Sequence, residues 1–164
     1  MKRFGFFAAT LFVGALAHFF CQRYLSLPSA APDVLLLLTA AHGFACGPMT
    51  GQLLGFTWGL IGDSTGTELF GVSAFNLALV GFLAGAFRRR MASERVTAQL
   101  VIGLVATVVQ AIVGRMLLST FEAGSRGSLT AFILQCAMNV VFVPWVFLAT
   151  ERWLDIWAIE REHV

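Results

Sequence analysis

The chain has 164 residues, of which 58% are hydrophobic and 12% are charged, and its formal net charge is +2. Soluble domains typically have about 45–50% apolar and about 25% charged residues, so this composition excludes an ordinary soluble domain and is typical of an integral membrane protein. No linker, charge run, low-complexity tract or repeat divides the sequence. We therefore expect a single transmembrane domain over residues 1–164, all-α in class.

The first apolar segment covers residues 4–20, with Thr10 and His18 as its polar residues. A helix that crosses about 30 Å of hydrocarbon needs about 20 largely apolar residues, so this segment predicts a membrane span. The preceding "MKR" and the later "PSAA" leave a cleaved signal peptide open as an alternative. An uncleaved anchor fits better, since the apolar cores of signal peptides have about 7–15 residues.

The second apolar region is interrupted by "CGPMTG", in which Gly47 and Pro48 disfavour a continuous helix. It predicts two short helices, over residues 34–46 and 48–62, with Pro48 at the favoured first helical position. At about 1.5 Å per residue, each would extend only about 20 Å. The pair would therefore either thin the bilayer or form a re-entrant hairpin.

Three further apolar helices are predicted over residues 71–87, 96–118 and 129–150, which completes a six-helix bundle. Residues 151–164 then predict a helical tail in which Trp153 and Trp157 lie one turn apart. Tryptophan rings prefer the membrane–water interface, so we interpret the tail as an interfacial anchor. A binding surface for a cytoplasmic partner is the alternative.

The basic residues predict the orientation, because cytoplasmic loops are enriched in lysine and arginine. With six helices, eight basic residues fall on one side and three on the other: Lys2, Arg3, Arg88, Arg89, Arg90, Arg95, Arg152 and Arg161 against Arg23, Arg115 and Arg126. The larger set is expected to be cytoplasmic, together with both termini. Arg88, Arg89 and Arg90 would then lie at the inner membrane interface.

Residues that carry catalytic or ligand chemistry are scattered. The three cysteines form no C-x-x-C pair, and the three histidines share no metal-ligand spacing with them. There is no phosphate-binding loop, nucleophile motif or basic nucleic-acid-binding stripe. We interpret His18 and His42, which fall within predicted spans, as packed neutral side chains, and we predict no catalytic residue, metal or cofactor.

Small residues recur at helical spacing on the third and fourth helices: Gly51, Gly55 and Gly59, then Ala74, Ala78, Gly81 and Gly85. Such stripes let helix backbones approach closely in lipid, where the hydrophobic effect does not drive helix association. They predict helix packing or partner binding at these positions. The alternative is that glycine is simply frequent in membrane helices.

Polar residues near helix ends and in the last helix have structural interpretations. Asp63 and Gly71 are predicted to organise the turn between the third and fourth helices, with Asp63 accepting hydrogen bonds from backbone N–H groups. A cation or arginine bound by Asp63 and Glu68 is the alternative. Gln135 and Asn139 share one face of the last helix and predict interhelical hydrogen bonds, either within the bundle or to a partner.

The region 32–90 resembles the core of the rod shape-determining protein MreD family. The matching positions are Pro32, Asp33, Gly55, Phe56, Gly59, Leu60, Asp63, Gly71, Ala74, Gly81, Gly85 and Arg88 to Arg90, with Asn139 and Pro144 in the last helix. The resemblance implies a fold similar to the S components of energy-coupling-factor transporters. It also implies a non-enzymatic subunit of the cell-elongation machinery in the bacterial cytoplasmic membrane.

The partners that the resemblance implies are MreC, the RodA glycosyltransferase and a class B penicillin-binding protein, with MreB filaments contacted directly or indirectly. A different class of function, a small-molecule-binding S component or other small transporter, remains as the alternative. Such a protein needs a polar pocket near the outer ends of several helices. The candidate lining residues are few: Asp63, Thr65, Glu68, Asn76, Gln110 and Arg115.

Overall fold

A computed structural model of the chain describes residues 2–24, 32–65, 70–88, 95–120 and 129–157. These residues form six helices: α1 (Lys2–Tyr24), α2 (Val34–Cys46), α3 (Pro48–Thr65), α4 (Val72–Phe87), α5 (Arg95–Thr120) and α6 (Leu129–Ile156). The predicted all-α class and the six helices are therefore confirmed for the described part of the chain.

The helix bounds differ from the predicted ones mainly at the ends. Helix α2 begins and ends as predicted, whereas α3 continues to Thr65, so that Asp63 lies in its last turn and not beyond it. Helix α6 runs through Pro144 to Ile156 and so includes the start of the predicted tail. The rest of that tail, residues 158–164, lies outside the described residues, as do Glu68, Arg89 and Arg90.

Two helices are long and apolar enough to cross a membrane, over Thr97–Leu117 and Phe132–Ile156. The other apolar helices are shorter, over Gly5–Cys21, Val34–Cys46 and Val72–Phe87. Many large apolar side chains point outward, among them Phe12, Met49, Phe75, Val141 and Trp145. An outer surface of this kind suits a hydrocarbon solvent.

Helix α2 lies at the centre of the bundle. It contacts each of the other five helices, and its side chains are buried around the whole circumference. Leu36, Leu37 and Ala40 have no exposed surface. Because the other five helices surround it, this short segment forms the core of the bundle.

The break between α2 and α3 occurs at Gly47, as the sequence indicated. Gly47 has φ of 93°, a left-handed conformation that glycine adopts without steric cost, and its N–H donates to the carbonyl of Gly43 at 2.9 Å. Pro48 then begins α3 at the position where its missing N–H costs no hydrogen bond. The two short helices therefore form a tight hairpin.

Candidate functional site: a glycine seam and a buried polar network

Helices α3 and α4 form the most extensive contact in the bundle, and the glycines of α3 lie directly against α4. A Cβ added to Gly55 would overlap the carbonyl of Leu77, and one added to Gly59 would overlap the Cα of Ala74. A Cβ on Gly51 would lie 2.6 Å from the carbonyl oxygen of Gly81. Side chains at these positions would force the backbones apart, so the close approach requires glycine.

The α4 side of this seam differs in one position from the predicted stripe. Ala74, Gly81 and Gly85 are buried in the contact, and a Cβ on Gly85 would lie 2.5 Å from the Cα of Pro48. Ala78 is only half-buried, and Leu77 occupies the position opposite Gly55. The rotation of α4 about its own axis decides whether Leu77 or Ala78 faces Gly55, and residue spacing alone does not predict that rotation.

Gly43 of α2 also belongs to the seam, although no sequence pattern singled it out. A Cβ on Gly43 would overlap the carbonyl of Gly81, and a Cβ on Gly51 would lie 2.5 Å from the Cα of Gly43. Three helices therefore meet at backbone distance near the α2–α3 hairpin. We define the glycine seam as Gly43, Gly51, Gly55, Gly59, Gly81 and Gly85.

Asp63 connects the end of α3 to the start of α4. Its carboxylate accepts hydrogen bonds from the backbone N–H groups of Gly71, Ser73 and Ala74, at 2.8, 3.1 and 3.2 Å, and only 7% of the residue is exposed. These N–H groups belong to the cap and first turn of α4, which have no helical partner, and the helix dipole favours a negative charge there. Gly71 caps α4 with φ of 100°, a left-handed conformation.

A second polar cluster ties the start of α2 to α6 and α5. The backbone N–H of Asp33 donates to Oδ1 of Asn139 at 2.9 Å, and Nδ2 of Asn139 donates to the hydroxyl of Thr107 at 3.1 Å. Asn139 has no exposed surface and Thr107 is 2% exposed. Asn139 therefore connects α2, α5 and α6 by hydrogen bonds within the bundle.

Gln110 and Asn76 extend this cluster to α4. Nε2 of Gln110 donates to the Asp33 carboxylate at 2.6 Å, and Nδ2 of Asn76 donates to the backbone carbonyl of Gln110 at 3.0 Å. The remaining amide oxygens of Asn76 and Gln110 are buried and have no hydrogen-bond partner among the described residues. We refer to Asp33, Asn76, Thr107, Gln110 and Asn139 as the polar network; it joins four of the six helices.

Gln135 does not join the polar network, although it lies one turn before Asn139. Its side chain is half-buried and has no hydrogen-bond partner within the described part of the chain. An unpaired amide on a membrane-facing helix is costly, since lipid offers it no hydrogen bond. Of the two predicted amides, Asn139 is hydrogen-bonded to α2 and α5, and Gln135 has no such bond among the described residues.

Trp153 and Trp157 pack against the first helix. Nε1 of Trp153 donates to the hydroxyl of Thr10 at 2.9 Å, and the rings of Trp157 and Phe6 meet edge to face with centroids 6.1 Å apart. Both tryptophans are half-buried, as is Arg88 at the end of α4. Their predicted role at the membrane interface stays a prediction. The two tryptophans also join the end of α6 to α1.

His42 is the most deeply buried ionisable residue of α2, with 2% of its surface exposed. Its Nδ1 donates to the carbonyl of Leu38 at 2.9 Å, and its ring packs edge to face on Trp58, with centroids 5.6 Å apart. Trp58 has no exposed surface and donates to the carbonyl of Leu11 at 3.2 Å. His42 is thus packed and hydrogen-bonded through Nδ1, whereas its buried Nε2 has no hydrogen-bond partner among the described residues.

A cavity of about 100 Å³ lies between α4 and α5. Its lining is apolar, with Val80, Ala84, Phe87, Val101, Ile102 and Val109 among the lining residues. A transporter of small polar molecules would need polar groups that converge on its ligand, and this cavity offers none.

These features define a small helical membrane protein whose polar residues cap and connect helices. Within the described ranges, no three His, Cys, Asp or Glu side chains lie close enough together to hold a metal ion. The family model described as rod shape-determining protein MreD matches residues 3–152, so the chain belongs to the MreD family. No curated protein and no solved structure matches the chain. The family match confirms the resemblance seen in residues 32–90 and gives the chain a role in rod-shape determination.

Proposed function

We propose that the chain is a non-catalytic subunit of the bacterial cell-elongation complex, in which it binds MreC and helps couple MreB filaments to RodA and a class B penicillin-binding protein. The match of the MreD family over residues 3–152 carries this proposal. The proposal includes a single domain with an S-component-like bundle, six passages through the cytoplasmic membrane and both termini in the cytoplasm. The family match favours this role over the small-molecule alternative.

The outward face of α6 is the surface that we propose for MreC. Val141, Trp145 and Leu148 lie on it and are 63, 70 and 45% exposed. Trp145 lies near the middle of a 28-residue helix, where its indole N–H has no partner among the described residues. Tryptophan is otherwise favoured at the membrane interface and is enriched at the centres of protein interfaces.

Two further polar groups lie on α6, the backbone beside Pro144 on one flank of this face and Gln135 on the opposite flank. Pro144 has no N–H to donate to the carbonyl of Val140, and the amide of Gln135 is unpaired two turns earlier. MreC segments with hydroxyl or amide side chains that pack on both flanks of this face would satisfy these groups and cover Trp145. Lipid would satisfy none of them, which favours a protein neighbour here.

The test is the affinity of MreC for the purified full-length chain in lipid nanodiscs. We expect Trp145→Leu and Gln135→Leu each to weaken MreC binding about three- to thirtyfold, the range for one interhelical polar contact of about 0.6–2 kcal/mol. The control is Phe12→Leu on α1, where an aromatic residue is 66% exposed. If the native chain does not bind MreC, the proposed function is refuted; if both variants bind like the control, the α6 face is refuted.

A further inference from the structure

The polar network contains a carboxylate whose hydrogen-bond donors carry no charge. The Asp33 carboxylate accepts from the backbone N–H of Leu36 at 3.1 Å and from Nε2 of Gln110 at 2.6 Å. A carboxylate has about four acceptor positions, so about two remain after these bonds. Both donors are neutral amides, so they bind the carboxylate without neutralising it.

The side-chain amides of Asn76 and Gln110 are each held in one orientation. Nδ2 of Asn76 faces the backbone carbonyl of Gln110, and Nε2 of Gln110 faces the Asp33 carboxylate. Turning either amide over would place its oxygen against another acceptor, so the N–H groups must make these contacts. The two amide oxygens are buried without a hydrogen-bond partner among the described residues, and Asn76 is only 4% exposed.

One carboxylate and two amide oxygens therefore lie along a continuous chain of contacts from α2 through α5 to α4. Oxygen atoms of these types are the ligands that hard cations take in proteins. The start of α2 stabilises the carboxylate in part through the helix dipole, but it donates nothing to the amide oxygens. Buried acceptors without donors cost free energy, and a bound cation would compensate all three oxygens at once.

We propose that Asp33, Asn76 and Gln110 bind a small monovalent metal cation. A single carboxylate balances a single positive charge, which favours a monovalent ion over a divalent one. The ion would join the central helix α2 to α4 and α5, and the half-buried side of Asp33 gives it access. The site uses no residue of the α6 face proposed for MreC, so it is independent of the proposed function.

Thermal unfolding of the purified full-length chain in detergent tests the site with sodium as the probe. A ligand that binds only the folded chain stabilises it in proportion to the logarithm of the ligand concentration. We expect the unfolding midpoint to rise by about 3–6 °C for each tenfold increase in sodium chloride above the dissociation constant. The control is choline chloride at equal ionic strength. No rise, an equal rise with choline chloride, or a rise with calcium chloride alone overturns the proposal.

The variant Asp33→Asn tests the role of the negative charge. Asparagine is also a favoured N-cap, so α2 keeps its start while the site loses its charge. We expect the sodium response to be lost in this variant. The control Asp63→Asn changes a carboxylate that three backbone N–H groups already bind, and it should keep the response. A response that survives Asp33→Asn, or that disappears in both variants, overturns the proposal.

Binding of radioactive sodium to the purified chain is a second measurement, which does not depend on stability. We expect saturable binding that Asn76→Leu weakens about tenfold or more, because it removes one proposed ligand. Equal affinity of Asn76→Leu and the native chain overturns the proposal. The charge of Asp33 also acts on His18 of α1, so stability that depends on pH and not on sodium would make His18 the counter-charge and overturn the proposal.

Discussion

At the scale of single residues, Asp63 illustrates how one carboxylate defines a turn. Three N–H donors from the start of α4 converge on it, while the residue itself belongs to the last turn of α3. The sequence predicted the capping role from an acid placed before a glycine-containing turn. It did not predict that α3 would continue past Asp63, because helix ends depend on hydrogen bonds that spacing does not reveal.

Replacing Asp63 should destabilise the bundle. Hydrogen bonds to a charged group contribute about 1.5–3 kcal/mol and an N-cap about 0.5–2 kcal/mol, so we expect Asp63→Ala to lower the free energy of unfolding by about 2–3 kcal/mol. The measurement is unfolding of the purified chain in detergent, with Ser64→Ala, an exposed neighbouring site, as control. Equal stability of the two variants would show that the three hydrogen bonds do not hold α4 in place.

At the scale of helices, the glycine seam sets the distance between α3 and α4. Gly59 and Gly62 lie on the same helix, but a Cβ on Gly59 would overlap α4, whereas the nearest described atom to a Cβ on Gly62 would be Leu35 Cδ1 at 3.9 Å. Alanine substitutions at Gly59 and Gly62 therefore distinguish the effect of close packing on stability from the effect of helix propensity. Glycine in a helix interior is less favourable than alanine by about 0.5–1 kcal/mol, and only a packing requirement offsets this.

The two alanine substitutions should differ in their effect on the free energy of unfolding. We expect Gly59→Ala to reduce the free energy of unfolding by about 1–3 kcal/mol, as overpacked cores do, and Gly62→Ala to leave it unchanged or raise it by up to about 1 kcal/mol. Equilibrium unfolding in mixed detergent measures both variants. If Gly59→Ala proves as stable as Gly62→Ala, the approach of α3 to α4 is looser than the structure has it.

The sequence predicted the helices better than their arrangement. Hydrophobic length and the Gly47–Pro48 break predicted the six helices, and the residue spacing drew attention to the small residues of α3 and α4 but not to Gly43. The polar network was not predictable, because the contact of Asp33 with Asn139 joins positions 106 residues apart. Nor did any pattern place α2 at the centre, since an apolar helix looks the same in sequence whether protein or lipid surrounds it.

At the scale of the whole molecule, long-range contacts join the first and last helices to each other and the central helix α2 to three others. The polar network ties α2 to α4, α5 and α6, and Trp153 and Trp157 tie the end of α6 to α1. A bundle joined in this way is expected to function as one unit. Its predicted orientation depends on the excess of basic residues on one side.

The orientation is testable with reporter fusions to the full-length chain. We expect a carboxyl-terminal fluorescent protein to be bright and a carboxyl-terminal alkaline phosphatase to be inactive, because the latter is active only outside the cytoplasm. Phosphatase inserted between α3 and α4 should be active. Replacing Arg88, Arg89 and Arg90 together by alanine removes three of the eight basic residues on the predicted inner side and should raise the inverted fraction. An active carboxyl-terminal phosphatase on the unmodified chain would show that the number of passages, or their direction, is different.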